Sequence, residues 1–217
     1  WSCMLTHRRR GFLVNIKGFN KVVAAVEMQG SNRLARYLSH GIMEISNNRH
    51  GKALRGEALT ASGFSFKGLD WNHLPGTTSK EILPFEKLHR NIGRARSKEA
   101  FAGSVAHRNR HGLFAMKLRD VVDKNFVARK SYFLFDKRII CLGSDIHCDD
   151  DSAAVHTTLF QKSLAKKSTA VIVNGKRVTA FPANMPLQGE NWIMDPQGVS
   201  YVFSGKAVLR RSRQTSY

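Results

Sequence analysis

Apolar residues recur at every second position along this chain, and compact turn signals separate the runs at intervals of about 8–12 residues. Phe12, Val14 and Ile16 alternate with Leu13, Asn15 and Lys17. Side chains of a strand alternate between its two faces, so this period builds a half-buried sheet and does not fit a helical stripe. The sharpest turn is Asn174-Gly175, between Ala170–Val173 and Arg177–Thr179; both residues tolerate positive φ, as a two-residue hairpin loop requires. Asp136-Lys137 joins Ala128–Phe135 to Arg138–Gly143, Pro75-Gly76 forms another turn, and Asp195–Gly198 separates Asn191–Met194 from Val199–Phe203. Strands are also predicted at Cys3–Leu5, Gly41–Ser46, Gly112–Leu118 and His156–Gln161, with a short apolar run at Val22–Val26 and a loop over 47–63. No segment carries a long 3.6-residue period. The predicted fold class is all-β, a large antiparallel β-sandwich over residues 1–217, with no linker or internal repeat to divide it.

With 217 residues and 42% hydrophobic content, the chain can bury a substantial core. Its apolar residues are spread throughout, which excludes a disordered basic tail, and no run approaches the ~20 apolar residues of a membrane span. Lys and Arg number 35 against 16 Asp and Glu, a formal charge of +19. Such a surplus suits an anionic partner. The cations cluster at His7–Arg10, at His89-Arg90 with Arg94 and Arg96, at His107–His111, and at Arg210-Arg211 with Arg213. Each cluster alone also reads as a solvated basic loop.

Chemistry-bearing motifs are scarce. Cys3, Cys141 and Cys148 are an odd set and no disulfide framework. Cys141 and Cys148 are spaced too widely for a zinc knuckle, and Cys141 reads as a small buried hydrophobe in a strand. Asp145 and Asp149–Asp151 lack the glycine and terminal glutamate of a calcium loop, so no metal or cofactor is predicted. There is no glycine-rich phosphate loop and no nucleophile elbow. The interleaved basic and aromatic pattern of an RNA-binding sheet is also missing, so nucleic acid is not the predicted partner. What remains is a set of aromatic, amide and basic residues in loops: Asn32-Arg33, Arg36-Tyr37, His40 and Asp70–His73. A tryptophan beside Asn and His suits a sugar ring, which has an apolar face and a rim of hydroxyls. Trp71 fits a core position of the sandwich equally well.

These residues carry a resemblance. The runs Asn32–Gly41, Asp70–Thr78, Phe101–Gly103, Lys130–Phe133, Leu142–Ile146, Thr157–Gln161, Val173–Gly175 and Trp192–Asp195, then Gly198 and Tyr201, follow one another along nearly the whole chain. In that order they resemble the central β-sandwich of the polysaccharide lyases that cleave hyaluronan and chondroitin, most closely the broad-specificity chondroitin ABC type. The resemblance implies a galactose-mutarotase-like supersandwich. It also implies a fragment of a glycosaminoglycan lyase that cleaves chondroitin sulfate, dermatan sulfate or hyaluronan by β-elimination at uronic acid. In the family a tyrosine base and acid, with a histidine and an arginine, sits on a helical domain preceding the sandwich; that domain is outside these residues. The expected partners are therefore an acidic polysaccharide and the missing N-terminal helical domain, and the sandwich alone is expected to be inactive. An extracellular or periplasmic location is implied likewise.

Carried over residue by residue, the family's supporting glutamate falls on Glu27. Four residues separate it from Asn32, one fewer than in the chondroitin ABC pattern; in a strand that difference turns a side chain to the opposite face unless a bulge compensates. Arg33 and Arg36 are candidate contacts for sulfate or carboxylate, or braces of the Ser39-His40-Gly41 turn. Trp71, Asn72 and His73 are candidates to line the substrate cleft. The rival readings are a non-catalytic module that binds acidic polysaccharide and a basic nucleic-acid-binding β domain.

Overall fold

The computed structural model describes residues 2–30, 33–47, 65, 67–84, 87 and 93–216. Asn32, the His89-Arg90 pair and all of the loop expected over 47–63 except Asn47, which ends a strand, lie outside them. The chain has two compact units, one of residues 1–45, 71–159 and 217, the other of 46–70 and 160–216. One boundary falls inside a strand, and for that reason no Gly, Pro or Ser-rich linker announces it.

The first unit holds β1 (Met4–Arg9), β2 (Phe12–Lys17), β3 (Val26–Met28), a 3-10 turn (Ala35–Tyr37), β4 (Ile42–Asn47), β5 (Thr78–Lys80), β6 (Gly93–Ala95), β7 (Ala102–His107), β8 (His111–Arg119), β9 (Val127–Phe135), β10 (Arg138–His147) and β11 (Val155–Thr157). They form sheets in the orders β1-β2-β4, β10-β9-β8-β7, β3-β6 and β11-β5, and the registered pairs are antiparallel. The period of two decides the faces. β2 buries Val14 and Ile16, β8 buries Phe114, Met116 and Leu118, and β9 buries Ala128, Lys130, Tyr132 and Leu134. Each large apolar side chain so removed from water contributes about 1.5–3 kcal/mol. Close approach matters at Gly18 after β2, where an added Cβ would lie 2.7 Å from Phe114 Cζ. A larger residue there would push β2 off β8.

The second unit holds β12 (Val171–Val173), β13 (Lys176–Val178), β14 (Ala183–Leu187), β15 (Glu190–Met194), β16 (Ser200–Ser204) and β17 (Ala207–Arg211), in sheets β13-β12-β15-β16 and β14-β17. Val171, Val173, Ile193 and Leu209 are its core, with Phe160, Met185, Leu187 and Phe203 packed around them. The expected β12–β13 turn is present, with Asn174 at φ 49 and Gly175 at φ 83. At the Asp195–Gly198 turn, Asp195 Oδ1 accepts from the amides of Gln197 (2.8 Å) and Val199 (3.0 Å).

The all-β class is observed, with some local differences. The strand expected at His156–Gln161 is shorter and earlier, as β11 (Val155–Thr157), beyond which Thr158 still bonds the Pro75–Thr77 turn through its amide to Thr77 O and its carbonyl to the Gly76 amide. Cys141 lies on β10 but is exposed, and all three cysteines are free thiols. Arg211 is buried; its guanidinium donates to the carbonyls of Ala180, Lys167 and Thr169 at 2.8–2.9 Å. Among the described residues, no helix is long and apolar enough to cross a membrane.

Candidate functional site

Three stretches of the first unit carry the candidate residues: 25–28, 33–41 and 71–80. Buried hydrogen bonds tie them together. Ser39 Oγ donates to Ala25 O, the Thr78 amide donates to His40 O at 3.4 Å, and His40 Nδ1 lies 3.2 Å from Thr78 O. The Pro75-Gly76 turn forms as expected, with Gly76 at φ +78 and the Thr77 amide bonded to Leu74 O at 3.1 Å.

Within that frame the candidates differ in what they can reach. Glu27 is exposed on β3, paired in register with Arg94 of β6; its carboxylate lies 3.9 Å from Arg94 Nε and accepts from Gln29 Nε2 at 2.6 Å. Arg33 is exposed. Arg36 is 3% exposed, and its Nε donates to Asp120 Oδ2 at 2.9 Å, so its charge is neutralised within the chain. Asn72 is fully buried, and its side chain makes a two-way amide pair with Ile82, donating to Ile82 O (3.0 Å) and accepting from the Ile82 amide (3.1 Å). The neighbouring side chains are less enclosed. His73 stacks on His156, with ring centroids 4.1 Å apart and planes 10° apart. Trp71 is partly exposed, but its Nε1 is buried and has no hydrogen-bond partner among the described residues.

Beneath these loops lies a polar network that the sequence reading missed. Asp120 is fully buried between Arg36 and His40, with His40 Nε2 3.7 Å from Asp120 Oδ2. Burial, opposed by Asp120 and reinforced by Arg36, lowers the His40 pKa to about 4, so the ring is neutral at pH 7. Burial also opposes the Arg36 charge, yet the adjacent Asp120 carries that guanidinium above its ordinary value. Lys130, inward on β9, donates to His40 O (3.1 Å) and to Gly76 O, and burial lowers its pKa to about 7. Tyr132 donates to Gly41 O at 2.7 Å. Burial raises both Tyr37 and Tyr132, so neither phenol is disposed to give up a proton. The signal for Lys130 was its parity: it shares a face with Ala128, Tyr132 and Leu134.

The arrangement is thus a braced loop wall. It presents a carboxylate, cations and partly exposed rings, but His40, Tyr37 and Tyr132 are sealed from solvent. Among the described residues, no group of three or more His, Cys, Asp or Glu side chains could hold a metal ion.

Comparison with known proteins agrees with this all-β architecture. Residues 2–217 match the family described as polysaccharide lyase family 8, super-sandwich domain. The chain is 33% identical over 222 residues to a chondroitin sulfate ABC exolyase of Proteus vulgaris, covering 96% of this chain and 21% of that protein. A chondroitin sulfate ABC exolyase of Bacteroides thetaiotaomicron is 33% identical over 214 residues, 93% of this chain and 20% of that one. The chain therefore spans about a fifth of the length of these relatives. A solved structure of chondroitinase AC lyase superposes with a TM-score of 0.72 at 25% identity, covering 95% of this chain and 28% of that one. A Paenibacillus xanthan lyase shares the fold, with a TM-score of 0.71 at 21% identity over 88% of this chain and 17% of that one. Matched from residue 2 to its end, the chain belongs to polysaccharide lyase family 8, as a super-sandwich domain of that family.

Proposed function

We propose that this domain forms one wall of the substrate cleft of a glycosaminoglycan lyase, acting outside the cytoplasm on chondroitin sulfate, dermatan sulfate or hyaluronan. The carrying observation is the match across nearly the whole chain to relatives named as chondroitin sulfate lyases, at 33% identity. The charge of +19 supports an anionic substrate.

The reaction is a β-elimination. A base takes the proton at C5 of the uronic acid, electrons shift to form the C4–C5 double bond, and the C4–O bond breaks as a proton reaches the leaving oxygen. Charge developing on the uronate carboxylate needs positioned donors and cations. On this reading the proton-transfer groups lie on a helical domain of the same polypeptide. Glu27 orients them from the sandwich side. Arg33 meets carboxylate or sulfate, and Trp71 and His73 supply the apolar and polar edges that hold a sugar ring. Arg36 and Asn72 act through the backbone they fix, and no cofactor enters the scheme.

Two polypeptides test the proposal by absorbance of the unsaturated uronate product. The present chain alone is expected to give no turnover on chondroitin sulfate, whereas the polypeptide extended by its upstream coding sequence is expected to give it. Turnover by the chain alone would overturn the wall-only role. An extended polypeptide inactive on all three polymers would overturn the substrate class.

A further inference from the structure

Two basic clusters, His7–Arg10 and His107–His111, play no part in the wall described above, yet the fold brings them together. The β1–β2, β7–β8 and β9–β10 hairpin tips meet at Asp136. His7 Nε2 lies 2.7 Å from Asp136 O, Arg9 Nε lies 3.5 Å from Asp136 Oδ1, and Arg110 donates to both carboxylate oxygens at 3.2 and 3.1 Å. His107 and His111 stack with centroids 6.4 Å apart. Seven cations stand at the tips: Arg8, Arg9, Arg10, Arg108, Arg110, Lys137 and Arg138. Asp136 is the single carboxylate among the tip residues, and Arg9 and Arg110 already share it. Arg8, Arg10, Arg108, Lys137 and Arg138 are all exposed.

We infer that these three tips form a second anion-binding surface, which takes successive sulfate and carboxylate groups of an extended acidic polysaccharide. One further observation points to a ligand. Arg108 sits at the apex of the β7–β8 turn with φ 51, a left-handed conformation that glycine or asparagine adopts at less steric cost than arginine. The surface lies apart from the candidate wall, since Lys130 and Phe135 are separated by about 17 Å along β9. Guanidinium forks pair with sulfate and carboxylate in bidentate fashion. Phe135, an exposed aromatic at the tips, packs against His111 at 5.5 Å; the three rings His107, His111 and Phe135 could also stack bases, which is why DNA is the competitor in the test below. The choice of a polysaccharide rests on the function proposed above.

The test is chondroitin sulfate binding by the whole chain as a function of salt. A tip variant (Arg8→Ser, Arg10→Ser, Arg108→Asn, Lys137→Ser, Arg138→Ser) is compared with a control that removes five exposed cations elsewhere (Lys166, Lys167, Lys176, Arg177 and Lys206, each →Ser). The tip variant is expected to bind about tenfold or more weakly with a shallower salt dependence, and the control to lose less than about threefold. Arg108→Asn alone is expected to weaken binding while unfolding at no lower urea concentration, which separates binding from folding. Equal losses in both variants, no binding by the wild type at about 0.1 M salt, or preferential displacement of the polysaccharide by DNA at matched charge would each overturn the inference. Cleavage of a short oligosaccharide by the extended polypeptide reports separately on the proposed function. Cleavage with unchanged tip-variant binding sinks the tip surface alone, and tip-dependent binding without cleavage sinks the lyase reading alone.

Discussion

Replacing Asp120 by alanine is expected to cost about 5 kcal/mol of folding stability, most of it from the buried charge left behind. The carboxylate is fully buried, accepts from Arg36 Nε at 2.9 Å, and accepts from the amides of Val122 and Asp123. Unit charges ~4 Å apart at an effective dielectric of ~20 attract by about 4 kcal/mol, and the lost turn bonds add roughly 1 kcal/mol. Because typical domains have only about 5–15 kcal/mol in hand, the variant should be near its unfolding threshold. Arg36→Met is expected to lose a similar amount, since it strands the carboxylate. The pair Arg36→Met with Asp120→Ala should lose about 3 kcal/mol less than the sum of the single changes, because no lone charge remains. Urea unfolding followed by near-ultraviolet circular dichroism measures all of these. A loss below about 1 kcal/mol for Asp120→Ala, or strictly additive losses, would refute the ion-pair account. Loss of polysaccharide binding by Arg36→Met with no loss of stability would return Arg36 to the substrate.

Three other outcomes follow from burial and close packing. His40 has its pKa lowered from 6.5 to about 4, so the unfolded chain takes up that proton first; its contribution is present above pH 6.5 and falls by about 3 kcal/mol as pH drops toward 4. His40→Gln should lack this acid loss, and identical acid slopes for variant and wild type would contradict it. Lys130 is lowered from 10.5 to about 7, so stability should rise by a few kcal/mol between those values as the buried ammonium is relieved. Lys130→Met should flatten that rise in urea midpoints taken from pH 7 to 10. Gly41 and Gly175 have similar φ, +81 and +83, but an added Cβ would lie 2.2 Å from Tyr132 Oη at Gly41 and would meet nothing within 4 Å at Gly175. Gly41→Ala is therefore expected to cost about 3 kcal/mol and Gly175→Ala about 1 kcal/mol in unfolding free energy; equal costs would refute the packing argument.

Local chemistry explains why much of the fold was legible. Asn174-Gly175 and Pro75-Gly76 set their own backbone angles, and alternation along β8 and β9 separates an inner from an outer face without long-range information. Strands whose residues look polar were harder to see. β7 reads Ala-Gly-Ser-Val-Ala-His and is largely exposed, and β14 contains Pro186, which has no amide for a ladder. Pro186 is nonetheless registered opposite Val208, because a two-stranded sheet has an open side where the missing donor does no harm.

The turn that carries most of the candidate residues was legible, and the way their side chains divide between partners was not. Asp70–Thr78 contains the Pro75-Gly76 turn, but nothing local indicates that Asn72 faces Ile82 while His73 faces His156. Arg36 and Asp120 are 84 residues apart, and a pairing of that separation has no signature in either neighbourhood. Parity put Lys130 on the inner face, but the habit of lysine to face water argued the other way. The structure resolves the conflict by giving the ammonium two backbone carbonyls, His40 O and Gly76 O, one from each loop of the wall. Removing that side chain should therefore disturb both loops together, whereas removing the exposed Arg33 should leave their geometry intact. Amide-exchange protection at Thr77 and Thr78 in Lys130→Met and Arg33→Ala would separate the two cases: both loops are held from inside by β9 only if the lysine variant alone loses protection.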